Sequence, residues 1–234
     1  MDPRLERIRE NEERSHTKIY SSEKLYDSGS WLNKPVKTVR DILPLLASYD
    51  ELHVLDLGCG VGRNSIFIAE SFIGKKCEID CVDLLQIAID KLNENAVQHG
   101  VADKINGIVV PIEKYSIKED DYDLIIAVSA LEHIDTKANF CAKLTEIRKG
   151  IRKGGMVCLI INSEVSETDT GSGKELEPQF EVNLSSEELH SILEREFPGW
   201  EVLKQSVSEQ IYDIPRDDIT SRLSTKVVSF VAKR

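Results

Sequence analysis

Twelve residues constrain this chain more than any others: His53-Val-Leu-Asp-Leu-Gly58-Cys-Gly60-Val-Gly62-Arg-Asn64. A short apolar run leads into three glycines at alternate positions, and an amphipathic stretch follows. Glycine repeated in this way serves a backbone that must turn sharply out of a strand or approach a bound group closely. A bare strand-to-helix turn needs fewer glycines and has no use for Asp56. A Walker loop is excluded, because no Gly-Lys-Ser/Thr follows. A dinucleotide fingerprint wants glycine at 58, 60 and 63, and position 63 is Arg. Asp56 would repel a pyrophosphate but suits a ligand that carries an ammonium group.

The loop sits inside an alternation of apolar and amphipathic segments. Strands are predicted at 53–57, 77–82, 105–110, 122–128, 156–161, 200–207 and 226–232. Helices are predicted at 63–71, 85–99, 136–152 and 185–196, the last opened by Ser-Ser-Glu-Glu. Strands alternating with helices imply an α/β fold, a doubly wound and mostly parallel sheet of seven strands. The last two strands have no long helix between them, so one runs antiparallel at the C-terminal end. Residues 1–34 read as an arm or lid of dense mixed charge, and 35–234 as a single domain. The stretch 163–177, rich in Ser, Glu, Thr and Gly, reads as a loop near a site opening.

The pattern Asp56-x-Gly58-x-Gly60-x-Gly62 resembles motif I of the class I S-adenosylmethionine-dependent methyltransferases. LDLGCGVGRNS is similar to the small-molecule branch, including the tellurite-resistance type. Further matches fall in order. Asp83 stands 21 residues past Gly62, where the family places a carboxylate that accepts hydrogen bonds from both ribose hydroxyls. VVPIEKY resembles the segment bordering adenine, with Pro111 where an acidic residue is common. DYDLIIAVSALEHI resembles the segment after the fourth strand. The resemblance implies a Rossmann-like fold and S-adenosylmethionine as cofactor. It puts Asp56, Gly58, Cys59, Gly60, Asn64, Asp83, Leu84, Ile112, Glu113, Val128 and Ser129 at the cofactor. It also implies methyl transfer, with His133 near the reacting methyl group as candidate general base and Glu132 second.

Each motif also has a plainer reading. Asp83 can cap the helix that follows while binding a ribose. His133 can sit at the surface or cap a turn. Cys77 and Cys81 lack the further ligands a zinc site needs and read as packing on one strand face, so no metal is expected. The arm carries Tyr20, Tyr26 and Trp31, aromatics enough to cover a filled pocket, and Trp31 is expected at the cofactor. The alternative is a helix docked permanently for stability.

Composition narrows the function. A net charge of −11 argues against a duplex-binding protein. The longest apolar run, 156–161, is far short of the ~20 residues that span a bilayer. Five cysteines without paired spacing and an N-terminus lacking an apolar stretch point to a cytoplasmic protein. A small-molecule acceptor is the first expectation. A macromolecular one is the alternative, though Val128-Ser-Ala-Leu131 is not the Asn/Asp-Pro-Pro-Tyr of amino-group methylation. A non-catalytic binder comes last. Oligomeric state is left open.

Overall fold

The sheet is built outward from β1 (Glu51–Leu57), whose residues Val54, Leu55 and Leu57 are fully buried. A parallel strand covered on both faces has to be apolar on both. The computed structural model describes residues 3–30, 32–216 and 219–234, so Trp31 lies outside the described residues.

Around β1 lie β2 (Lys76–Asp83), β3 (Ile105–Val109), β4 (Tyr122–Val128), β5 (Ile151–Asp169), β7 (Glu201–Arg216) and β8 (Ile219–Lys233), in the order β3-β2-β1-β4-β5-β8-β7. The first five run parallel, and β8 is antiparallel to both β5 and β7. The expected seven-stranded sheet is therefore present. A two-residue β6 (Glu175–Leu176) pairs with β5 off the main path.

Helices cover both faces. Val39, Ile42, Ile66, Ile68 and Leu92 pack one face from α2 (Lys37–Ile42), α3 (Ser65–Ser71) and α4 (Gln86–Gln98). Phe140, Leu144, Ile147, Leu189 and Leu193 pack the other from α5 (Lys137–Gly150) and α6 (Ser186–Glu196). Cys77 and Cys81 lie in the first of these clusters, as expected of packing residues. Thr136 and Ser185 cap α5 and α6 by accepting the backbone N–H of Asn139 and Glu188. Among the described residues no helix is long and apolar enough to cross a membrane.

The stretch 163–177 departs from expectation. Most of it is strand, because β5 continues to Asp169 and its pairing with β8 reaches Ser221. Ser163, Val165 and Glu167 alternate inward here, and two of the three are polar. Buried Glu167 is matched by Arg216 at 2.9 Å and by the Ser221 hydroxyl at 2.5 Å. An apolar pattern could not reveal a strand whose inner face is paired through charge.

The arm forms α1 (Pro3–Ser22), with only Ile8 and Tyr20 buried. It is held mainly through polar contacts. Arg4 reaches Glu177 and the Phe180 carbonyl, each at 2.8 Å, and Asn11 donates to Gln179 at 3.0 Å. α1 thus lies across the C-terminal edge of the parallel strands, where an open α/β sheet binds its ligands.

Candidate functional site

At the end of β1 the Gly58 and Cys59 amides both donate to the Val82 carbonyl, at 2.7 and 3.0 Å, which folds the glycine loop back onto β2. Gly58 has φ +73°, and a Cβ there would lie 2.3 Å from that of Ala130. Gly60 has φ +54°, and among the described residues a Cβ would meet only the Tyr20 ring, its hydroxyl at 3.1 Å. One glycine is required by packing and the other by open space. That space belongs to a cavity of about 760 Å³, within the usual ligand-pocket range of ~300–1,000 Å³.

Asp83 closes the loop from the other side. One carboxylate oxygen accepts the Gly60 N–H and the other the Leu85 N–H, both at 2.9 Å. Each oxygen keeps a further lone pair, so a diol can still be bound. Burial raises the carboxyl above its ordinary value, opposed by the bonds from Leu85 and Gly60. Asp83→Ala is expected to weaken binding of the demethylated cofactor by ~1.5–3 kcal/mol, measured by calorimetry. It should also lower the melting temperature, because two loop amides lose their acceptor.

Most residues expected at the cofactor line the cavity: Gly58, Cys59, Gly60, Asn64, Asp83, Leu84, Ile112, Glu113, Val128 and Ser129. Asn64 also accepts the Val36 N–H at 3.0 Å, tying the loop to the start of α2. Ser129, just beyond β4, has φ +51°, a strained value for a residue with a side chain.

Asp56 does not line the cavity. It is buried beneath the loop, where it accepts the Ser65 hydroxyl. Burial pushes it up to about 7 against that hydrogen bond. It supports the loop from below and does not face a ligand's ammonium group. Glu132 is also turned away, with one oxygen accepting the Asn162 amide at 3.0 Å. Tyr26 donates to the Arg63 carbonyl and packs edge-on against His99, away from the cavity.

His133 lies in the 3-10 turn Leu131–His133 and lines the cavity, with its ring stacked on Phe180 at 5.0 Å. Its Nδ1 is 2.9 Å from Glu181 and 3.2 Å from Glu12. Burial opposes the charged ring, but Glu12, Glu181 and Glu132 outweigh it and raise the imidazole to about 10. An imidazole already protonated at neutral pH donates and does not accept, which replaces the expected role of general base. A folded-state value above the ordinary 6.5 means that this pairing stabilises fully below about 6.5 and fades as pH rises through about 10. The melting-temperature gap between the native chain and His133→Gln should therefore shrink from pH 7 to pH 10.

Several lining residues escaped the sequence reading. Arg9, Glu12 and His16 come from α1, where Tyr20 alone was expected near the pocket, Phe180 and Glu181 from the stretch before α6, and Tyr212 and Ile214 from β7. The α1 set had a signal, since spacings of three and four place it on one helix face. Arg9 links the cavity's ends, 2.7 Å from Glu113 and 3.6 Å from Glu181. Glu12, His133 and Glu181 bring one donor atom each within 4.8 Å of one another, at distances of charged hydrogen bonds.

Residues 54–155 match the family described as methyltransferase domain. Over 74 residues, 32% of this chain, it is 39% identical to ribosomal protein arginine N-methyltransferase rmt3 of Schizosaccharomyces pombe. Over 110 residues, 46% of this chain, it is 36% identical to bacteriochlorophyllide d C-20 methyltransferase of Chlorobaculum tepidum. The matches span 13% and 30% of those relatives' lengths. In structure the chain is similar to TehB from Haemophilus influenzae, with a TM-score of 0.63 over 85% of this chain and 62% of that one, at 20% identity. Sheet order, glycine loop and family match converge, and residues 54–155 carry a methyltransferase domain.

Proposed function

We propose that the chain transfers a methyl group from S-adenosylmethionine to a small-molecule acceptor. The observation that carries this reading is the pairing of an open Gly60 with a two-handed Asp83. The loop leaves room for a ligand, and the carboxylate that fixes it still has lone pairs facing that room. When bound, the cofactor supplies a methyl group already activated by a positive sulfur.

What is left to the protein is placement and dryness. Asp83 suits the ribose hydroxyls, Leu84 and Ile112 offer apolar surface for a flat base, and Glu113 lies beside them in the wall. Val128, Ser129 and His133 line the opposite end, where we place the acceptor. Holding two reactants in line is worth roughly 7–11 kcal/mol without covalent catalysis. α1, Phe180 and Tyr212 form the cover that keeps water out. We read α1 as a lid, because charged contacts over few apolar ones form and break readily.

The cover also favours a small acceptor, since a polynucleotide or polypeptide would have to displace α1. All five cysteines are free, which supports a reducing compartment, and we place the protein in the cytoplasm. A cell extract incubated with the chain and methyl-labelled cofactor tests the reading. Label should enter the small-molecule fraction. Label in RNA or protein instead would favour a macromolecular acceptor, and no transfer would leave a binding protein.

A further inference from the structure

The acceptor end of the cavity has a chemical preference of its own. Two carboxylate oxygens lie on one nitrogen of His133, Glu181 at 2.9 Å and Glu12 at 3.2 Å, so Nδ1 carries its hydrogen. The Glu181 side chain is only 1% exposed, and its second oxygen has Arg9 at 3.6 Å. The buried Glu132 next in sequence adds its negative charge, and Glu113 takes the other side of Arg9. Carboxylates outnumber cations around the imidazole, which holds it as a cation. Among the described residues Nε2 has no protein partner, and the ring lines the cavity. A charged N–H is thus offered to a ligand.

A donor at that point sorts acceptors by their lone pairs. A neutral amine has one, which can accept from Nε2–H or attack a methyl group, but not both. An ionised oxygen has three, so one can take the hydrogen bond while another reacts. The ring's partner is a second aromatic plane, Phe180, tilted only 25° from it, which gives that wall a flat face.

We propose that this subsite is built for an ionised oxygen on a flat conjugated molecule, a phenolate or an aromatic carboxylate, with His133 Nε2–H as its hydrogen-bond donor. The inference rests on the methyl-transfer reading above. The acceptor oxygen would form the new O–C bond with one lone pair, and the pair of the broken C–S bond would stay on sulfur. The acceptor's proton has already gone to solvent, so no general base is required.

Three para-nitro probes test this in the full chain at pH 7 with S-adenosylhomocysteine present: 4-nitrophenol, its isosteric neutral amine 4-nitroaniline, and 4-nitrobenzoate. At least one anion should bind roughly tenfold or more tighter than the amine, as a charge-assisted hydrogen bond implies. Whichever anion is preferred identifies the source of the oxygen. If it is 4-nitrophenol, its visible band should show the ionised form about one pH unit lower than in free solution. His133→Gln should abolish the preference for an anion while leaving S-adenosylhomocysteine affinity within about twofold. Equal or tighter binding of 4-nitroaniline overturns the proposal, as does failure of both anions to bind while S-adenosylhomocysteine does. A native chain that does not bind S-adenosylhomocysteine removes the methyl-transfer reading itself.

Discussion

Gly60→Val should lower affinity for S-adenosylhomocysteine by roughly a hundredfold or more while leaving the helix signal in circular dichroism unchanged. The residue has φ +54°, a region that costs a side-chain-bearing residue ~1–2 kcal/mol, more for a β-branched one. Its Cβ would come within 3.1 Å of the Tyr20 hydroxyl, and its methyl groups would enter the cavity. Among the described residues only that ring lies within 4 Å of the Cβ, so no core side chain is displaced. Gly58→Val makes the contrast. Its Cβ would collide with that of Ala130, a buried residue of the core just beyond β4, and the fold itself should suffer. A Gly60 variant that binds within threefold of the native chain would reduce the loop to a turn.

Arg9→Ala should release α1 from the site. The guanidinium is 17% exposed and faces Glu113 and Glu181, which are 6% and 1% exposed. Removing one partner of a buried pair costs ~3–5 kcal/mol, because the charge left behind has lost its solvent as well as its partner. Partial exposure of Arg9 puts the expectation at the lower end, a shift of roughly 100-fold in the docked-to-open ratio. Cleavage at Arg14 or Lys18 tracks the open population when the helix recloses faster than it is cut. Proteolysis there should speed up by at least tenfold, and S-adenosylhomocysteine should slow it again if α1 is a lid. Equal cleavage in the native chain and the variant would mean that Ile8, Tyr20 and the contacts to 177–180 hold the helix without Arg9.

The parts that were legible in the sequence were those with local causes. Each parallel strand carries its own apolar run, and the glycines and Asp83 announce a strand-to-helix loop because the backbone needs them there. The floor of the cavity followed from order along the chain. Its cover did not. α1 reaches the site through Arg9 and Glu12, ordinary charged residues whose partners lie more than 100 positions away, as between Arg9 and Glu113. The outer part of β5 was hidden for a similar reason, since Glu167 is buried only because Arg216 and Ser221 meet it there. Asp56 shows the converse. Its place in a motif suggested ligand contact, but its side chain points into the protein, to Ser65. Tertiary pairing sets the direction of these side chains, through distant charges for Arg9 and Glu167 and through a hydroxyl for Asp56, and a motif or apolar pattern does not show it.

A thermal-shift titration of the native chain with S-adenosylhomocysteine, with NAD run alongside, tests the central claim most directly. Mass action gives about 2.7 kcal/mol of stabilisation at a hundred times the dissociation constant, which for a chain of 234 residues is roughly 5–10 °C. The account predicts a shift of that size with S-adenosylhomocysteine at micromolar affinity, a markedly smaller one for Asp83→Ala, and none with NAD. A shift with NAD and none with S-adenosylhomocysteine would contradict it.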